Sequence, residues 1–302
     1  LGGFGWLLSI AIAYGLGALL WALGAIDSFV YTGSAMATTA IGTLIPILRD
    51  TGEMRTRFGT YLLGAGAVGE FGPILLVTLF LSTGHPLREA LILVAFVAIA
   101  VAIALLSMGV VWRELPLIER TLEASDQLAV RVTVVLVFGL VGLAGHLHLD
   151  ILLGGFVAGM ITRAALRGHE VAVFDSKLTA VGFGFFIPFF FIYSGMNFDL
   201  EALGELGALL KLAMFFVLFL VVRGVPALLL YRGALAVRQR AALALYCATE
   251  LPLVVAITTL AVEDGHMKSP TAAGLVGAAM LSTLVYPFAA RAVLEGGAAA
   301  VG

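Results

Sequence analysis

Ten predominantly apolar stretches follow one another along this chain, at about 1–26, 29–48, 58–81, 87–111, 128–145, 150–165, 174–197, 206–230, 239–262 and 270–294. A helix of about 20 apolar residues is long enough to cross the hydrocarbon core of a bilayer. Inside lipid every backbone N–H and C=O must be satisfied by the chain itself, so such stretches have to be helices. The expected fold class is therefore an all-α polytopic membrane protein with about ten transmembrane helices. The sixth stretch is short and reads as tilted or partly interfacial. Composition agrees: the chain is 61% hydrophobic and 12% charged, whereas soluble domains are about a quarter charged.

Loop charge tests the count independently. If residue 1 is placed on one side and the spans alternate, that side collects Arg49, Arg55, Arg57, Arg113, Arg120, Arg131, Arg163, Arg167, Lys177, Arg232, Arg238, Arg240 and Arg291. The other side receives Arg88, Lys211 and Lys268, which leaves Arg223 inside a span. The positive-inside rule puts the rich side in the cytoplasm, so both ends of the chain are expected there. The polar stretch 112–127, with Pro116, reads as a hinge on that side.

Several functions are disfavoured. The net charge is -2 and the arginines form no patch, so nucleic acid is not an expected partner; the expected partner is the lipid bilayer. Cys247 is the single cysteine and allows no intrachain disulfide. Metal-ligand spacings, phosphate-binding glycine loops and nucleophilic triads are not recognised, so neither an enzyme nor a resident cofactor is expected. His146, His148 and Asp150 in "AGHLHLD" read as solvated loop residues rather than a metal site. Residues 1–26 read as a spanning helix and not a signal peptide, so the chain is expected to begin partway through a longer protein.

Two spans carry internal contradictions. "SAMATTAIGTLIPIL" (34–48) and "ALYCATELPLVVAITTL" (244–260) each place hydroxyls near mid-span with a proline after them. A proline lacks an N–H and clashes with the carbonyl four residues earlier. Pro46 thus frees the carbonyl of Gly42, Pro252 that of Ala248, Pro73 that of Gly69 and Pro226 that of Val222. Free carbonyls are tolerated in a membrane where they line a wet cavity. The second and ninth spans also cross in opposite directions, so spans 1–3 and 8–10 have inverted topology. Interrupted segments at matching places in two inverted halves point to a midplane binding site.

Only Glu70, Arg223 and Glu250 lie deep within the spans. A charge at a helix centre costs about 2.5–3.5 kcal/mol on insertion scales and typically faces an ion pathway. A buried Glu250–Arg223 pair that merely locks helices together is the bland alternative. An ionised Glu70 can hold a desolvated cation together with carbonyl and hydroxyl oxygens; protonated, it cannot. A group that takes either a proton or a cation, in a protein that opens to each side in turn, performs antiport.

At these residues the chain resembles the cation/proton antiporter superfamily, in the branch of bacterial potassium-efflux and sodium/proton exchangers. "SAMATTAIGTLIPILRDTG" is similar to that branch's first broken helix, with Thr39 on its threonine and Thr38 beside it. "GAVGEFGPILLV" is similar to its ion-binding segment, with Glu70 on the binding aspartate. "CATELPLVVA" resembles the second broken helix, with Ala248 and Thr249 before Glu250, which falls on that helix's glutamate. "FGFFIPFFFIYSGMNFDL" and "LLGGFVAGMI" match further segments, and Arg223 falls in the helix where relatives keep a basic residue. The resemblance implies one transmembrane antiporter domain over 1–302, lacking the first two helices. It divides into a first inverted repeat (1–81), linker and scaffold helices (82–205) and a second inverted repeat (206–302), an inverted-topology repeat with two crossing broken helices. It implies a homodimer working by elevator-like alternating access, with spans 2, 3, 8 and 9 in the moving core and spans 1 and 5–7 partly in the scaffold, and it leaves room for a regulatory domain outside this fragment. Two departures stand out: Glu replaces Asp at position 70, and Gly69 stands where relatives have Gln, Asn or a second Asp. A single carboxylate implies one-for-one exchange of Na⁺ or K⁺ for H⁺. An organic-anion symporter of similar architecture and a non-transporting membrane sensor or scaffold are the alternatives.

Overall fold

The computed structural model describes residues 1–76, 128–147, 151–165, 170–196, 198–204 and 206–295, with residues 91, 94–96, 98, 99 and 102 between them. The expected fourth span lies largely outside the described residues, as do the 112–127 hinge, His148 and Asp150. Among the described residues all regular structure is helical. Five helical segments among the described residues are long and apolar enough to cross a membrane: Gly2–Ala22, Phe174–Met196, Leu206–Leu230, Val237–Glu263 and Ser269–Glu295. The protein is a polytopic membrane protein.

In chain order the helices are α1 (Gly2–Ala22), α2 (Phe29–Met36), α3 (Ile41–Asp50), α4 (Arg57–Leu76), α5 (Leu128–His146), α6 (Ile151–Ala165), α7 (Glu170–Val181), α8 (Ile187–Met196), α9 (Leu200–Leu203), α10 (Leu206–Phe219), α11 (Val225–Leu230), α12 (Val237–Cys247), α13 (Pro252–Glu263) and α14 (Ser269–Glu295). π-helical turns at Gly182–Phe186 and Leu220–Gly224 join α7 to α8 and α10 to α11. The helices fall into two compact units, one of Leu1–Leu76 with Phe198–Gly302 and one of Val77–Asn197. In the second, α5 packs along α6, and α7 and α8 form one long aromatic-rich helix through the π turn.

The first unit holds both interrupted spans. Helix α1 is apolar all round and buries a single stripe, Gly5, Ser9, Ala13 and Gly17, spaced four apart and so on one helical face. Small residues there let neighbouring backbones approach closely. A Cβ on Gly17 would meet the Phe29 carbonyl at 3.0 Å, and one on Gly2 the Gly64 carbonyl at 3.0 Å. Along this stripe α1 packs against α2, α4 and α11. Helix α14 packs on α10, α12 and α13 and buries another run of small residues. An apolar cluster that includes Leu44, Leu48, Phe58, Leu62, Leu243 and Tyr246 ties α3, α4 and α12 together.

The second span breaks earlier than its proline. Helix α2 ends at Met36 and α3 starts at Ile41, so Pro46 lies inside α3. Hydroxyls end α2: Thr38 Oγ1 donates to the Ala35 carbonyl at 3.0 Å, one of the C-terminal acceptors that a helix leaves unfilled. In the ninth span α12 stops at Cys247 and Pro252 opens α13, where a missing N–H costs nothing. Pro73 does not interrupt α4, and at Pro226 the preceding turn widens to π geometry.

Candidate functional site

The two interruptions cross each other. The Ala40 N–H donates to the Thr249 carbonyl at 2.8 Å, a backbone bond from one broken helix to the other. Two side chains reinforce it: Thr39 Oγ1 donates to the Cys247 carbonyl (2.6 Å) and Thr38 Oγ1 to Glu250 Oε2 (3.2 Å). The crossing therefore assembles two helix C-termini, α2 and α12, and two N-termini, α3 and α13. Their partial charges, negative at the C-termini and positive at the N-termini, are concentrated in one buried place.

Two of the three deep charged side chains, Glu70 and Arg223, answer one of these ends each. Half-buried Glu70, on α4, interacts with the backbone N–H of Ile41, the first residue of α3. A carboxylate at a helix N-terminus is electrostatically favoured. Its neighbour Gly69 faces the crossing more closely still. A Cβ there would meet Thr39 Oγ1 at 2.8 Å and collide with the Arg223 guanidinium. Gly69 thus contributes space. A Cβ on Gly66, one turn earlier, would meet Ile41 Cδ1 at 2.9 Å, so α4 presses on the start of α3 along its length.

Arg223 sits in the π-helical turn and is 4% exposed. Its Nε donates to Thr39 Oγ1 (2.9 Å) and, at longer range, to the Cys247 carbonyl (3.4 Å). Nη1 donates to Ser9 Oγ (3.1 Å) and Nη2 to the Ala65 carbonyl (3.3 Å). All four acceptors are neutral. Among the described residues no carboxylate oxygen lies within 4.0 Å of the Arg223 guanidinium. Arg223 and Glu250 therefore interact electrostatically without forming a contact pair. Instead the guanidinium fills the carbonyl end of α12 and the Thr39 hydroxyl. A widened turn of this kind recurs at functional sites.

Glu250 is fully buried. Its backbone is clamped by α14: its N–H donates to Ser282 Oγ (3.0 Å), and its carbonyl accepts from Thr283 Oγ1 (3.0 Å) and Ser282 Oγ (3.2 Å). Its Oε1 has no hydrogen-bond partner among the described residues. Thr249 turns its hydroxyl back to the Leu245 carbonyl (3.2 Å), so its backbone carbonyl rather than its side chain serves the crossing. Ala248 is buried in the break between α12 and α13, so its carbonyl lies outside both helices. Thr38, Thr39, Gly69, Arg223, Cys247, Thr249 and Glu250 are thus linked at the crossing, with Glu70 at the start of α3 beside it. Sequence reasoning missed Ser9, the Cys247 carbonyl and the Ser282–Thr283 pair. The signal for the hydroxyls was there, as polar side chains inside apolar spans.

Over residues 1–296 the sequence matches the family described as sodium/hydrogen exchanger, transmembrane. The chain belongs to that family. Similar members include the putative Na(+)/H(+) antiporter YjbQ of Bacillus subtilis, 21% identical over 93% of this chain and 44% of its own length. The Na(+)/H(+)-K(+) antiporter GerN of Bacillus cereus is 26% identical over 58% of this chain and 45% of its own. The Na(+)/H(+) antiporter NhaS5 of Synechocystis is 28% identical over 86% of this chain and 36% of its own. The chain spans less than half the length of each of these relatives. As an exchanger-family member it carries its interrupted helices and all three deep charges within the matched region.

Proposed function

We propose that this chain is the transmembrane part of a secondary antiporter that exchanges Na⁺ or K⁺ for H⁺, with Glu70 as the group for which cation and proton compete. The observation that carries this reading is the crossing of two interrupted helices beside a half-buried carboxyl group at the start of α3. An ionised Glu70 offers a hard cation the oxygen ligand it prefers. The Gly69 carbonyl, deprived of its helical donor by Pro73, and the Ala248 carbonyl in the second break lie in these segments, and hydroxyls at Thr38 and Thr39 stand at the first break. Two carboxylates against one guanidinium leave the ionised site at −1, which favours a cation over an organic anion. Protonation of Glu70 removes its charge, so the cation leaves as the proton binds. One carboxyl doing both gives one-for-one, electroneutral exchange.

Alternating access then carries the loaded site from side to side, with the chain in a bacterial inner membrane, both ends cytoplasmic and two copies associated as a homodimer. The names of the relatives, which include Na(+)/H(+) and Na(+)/H(+)-K(+) antiporters, support the choice of cargo.

The test is reconstitution into liposomes with a trapped pH-sensitive dye. A Na⁺ or K⁺ gradient is expected to drive proton movement in the wild type. In Glu70→Gln it is expected to fall to the rate of protein-free liposomes, while the variant inserts normally. A Glu70→Gln protein that exchanges at the wild-type rate overturns the assignment.

A further inference from the structure

Ser9 is the one hydroxyl in the buried stripe of α1. It is fully buried, donates to the Gly5 carbonyl at 3.0 Å and accepts from Arg223 Nη1 at 3.1 Å. It contacts neither carboxylate. We propose that Ser9 is a positioning residue for exchange: it holds the Arg223 guanidinium among neutral oxygens, so that the guanidinium does not compete with the transported cation for a carboxylate. This inference rests on the exchange reading above and adds a residue to it.

A buried guanidinium seeks an acceptor for each N–H. Here the acceptors come from four directions: Ser9 on α1, Ala65 on α4, Thr39 in the first break and Cys247 at the end of α12. The ionisable groups facing Arg223 are Glu250, Cys247 and Tyr231. Glu70 follows the glycine against which Nη2 is seated. Without the Ser9 hydroxyl, Nη1 loses its protein acceptor at the edge of a small cavity that Ser9, Ala65, Arg223 and Cys247 help to line. Hydrogen bonds from guanidinium to carboxylate are roughly twice as strong as those to neutral oxygens. The released N–H is therefore drawn towards a carboxylate, where its positive charge occupies the place a cargo ion needs. Because α1 supplies the hydroxyl, its packing sets how far Arg223 reaches into the site.

The experiment measures initial exchange rates in proteoliposomes against Na⁺ and K⁺ concentration for wild type, Ser9→Ala and Ser9→Thr. Ser9→Ala is expected to raise the cation KM by roughly fivefold, the worth of exchanging a neutral for a charged acceptor, with kcat within about twofold. Ser9→Thr keeps the hydroxyl and is expected to restore KM. Should Ser9→Ala fail to insert as a monodisperse protein, Ser9→Gly removes the same hydroxyl within a stripe that already accepts glycine. An unchanged KM in the hydroxyl-free variant overturns the proposal, and so does a fall in kcat alone or a Ser9→Thr no better than alanine. Absence of cation-driven proton movement in the wild type overturns the exchange reading itself, and with it this role for Ser9.

Discussion

Gly69→Ala is the smallest change that reaches the centre of the crossing. The added Cβ lies 2.8 Å from Thr39 Oγ1 and collides with Arg223 Nη2, so one of them has to move. Thr39 is fixed on both sides, by the Cys247 carbonyl at 2.6 Å and by Arg223 Nε at 2.9 Å. The guanidinium is the softer partner, and its bond to the Ala65 carbonyl, the longer of its two terminal contacts at 3.3 Å, is the one given up. A hydrogen bond involving a charged group contributes about 1.5–3 kcal/mol, and overpacking adds about 1–3 kcal/mol. Alanine returns about 1 kcal/mol of helix propensity, so the net loss is about 1.5–5 kcal/mol. The control is Gly139→Ala in α5, where an added Cβ meets nothing within 4 Å. Thermal unfolding in detergent is expected to place Gly69→Ala several degrees below both wild type and control, with exchange reduced in parallel. In an Arg223→Lys background, which lacks the forked guanidinium, the penalty of Gly69→Ala is expected to shrink. A Gly69→Ala protein as stable and active as Gly139→Ala would refute the claim that position 69 is a seat for Arg223.

Thr39→Val removes the acceptor of Arg223 Nε and the donor to the Cys247 carbonyl while keeping the shape; it is expected to cost about 2–4 kcal/mol, whereas Thr39→Ser stays within about 1 kcal/mol, both read from thermal unfolding. At Asp27, in the loop before α2, the hydrogen bond from Lys268 holds the carboxyl below its usual range. A depressed folded-state pKa adds stability above the unfolded value, about 3.9, and loses it as pH falls through the folded value. Asp27→Asn is therefore expected to lower the unfolding midpoint slightly at pH 7 and to match wild type in strong acid. A gap between the two that is constant down to pH 2 refutes that pairing.

Much of the fold was legible because membrane insertion enforces a local rule. Each span must satisfy its own backbone, so length, apolarity and loop charge suffice to mark most helices. The interruptions at 37–40 and 248–251 were legible for the same reason, since threonines beside proline at mid-span contradict that rule. Where sequence reasoning fell short, the deciding contact was distant or backbone-made. Nothing in "SAMATTAIGTLIPIL" shows that hydroxyls, and not Pro46, end α2. Arg223 looked like a counter-charge for Glu250, yet its contact partners are two hydroxyls and two carbonyls. Carbonyl oxygens have no letter in a sequence, so such a cage cannot be read from one.

What the sequence determined alone is that this chain is helical and membrane-embedded, and which two spans break. Those properties follow from hydrogen-bond requirements satisfied within a few residues. What only the tertiary structure decided is which atoms meet where the breaks cross, that Gly69 makes room for a guanidinium, and that α1 reaches the site through Ser9. Thr38 and Glu250 are 212 residues apart, Ser9 and Arg223 214. Their meeting is fixed by how small-residue stripes let helices approach, a property of packed surfaces that no local periodicity encodes.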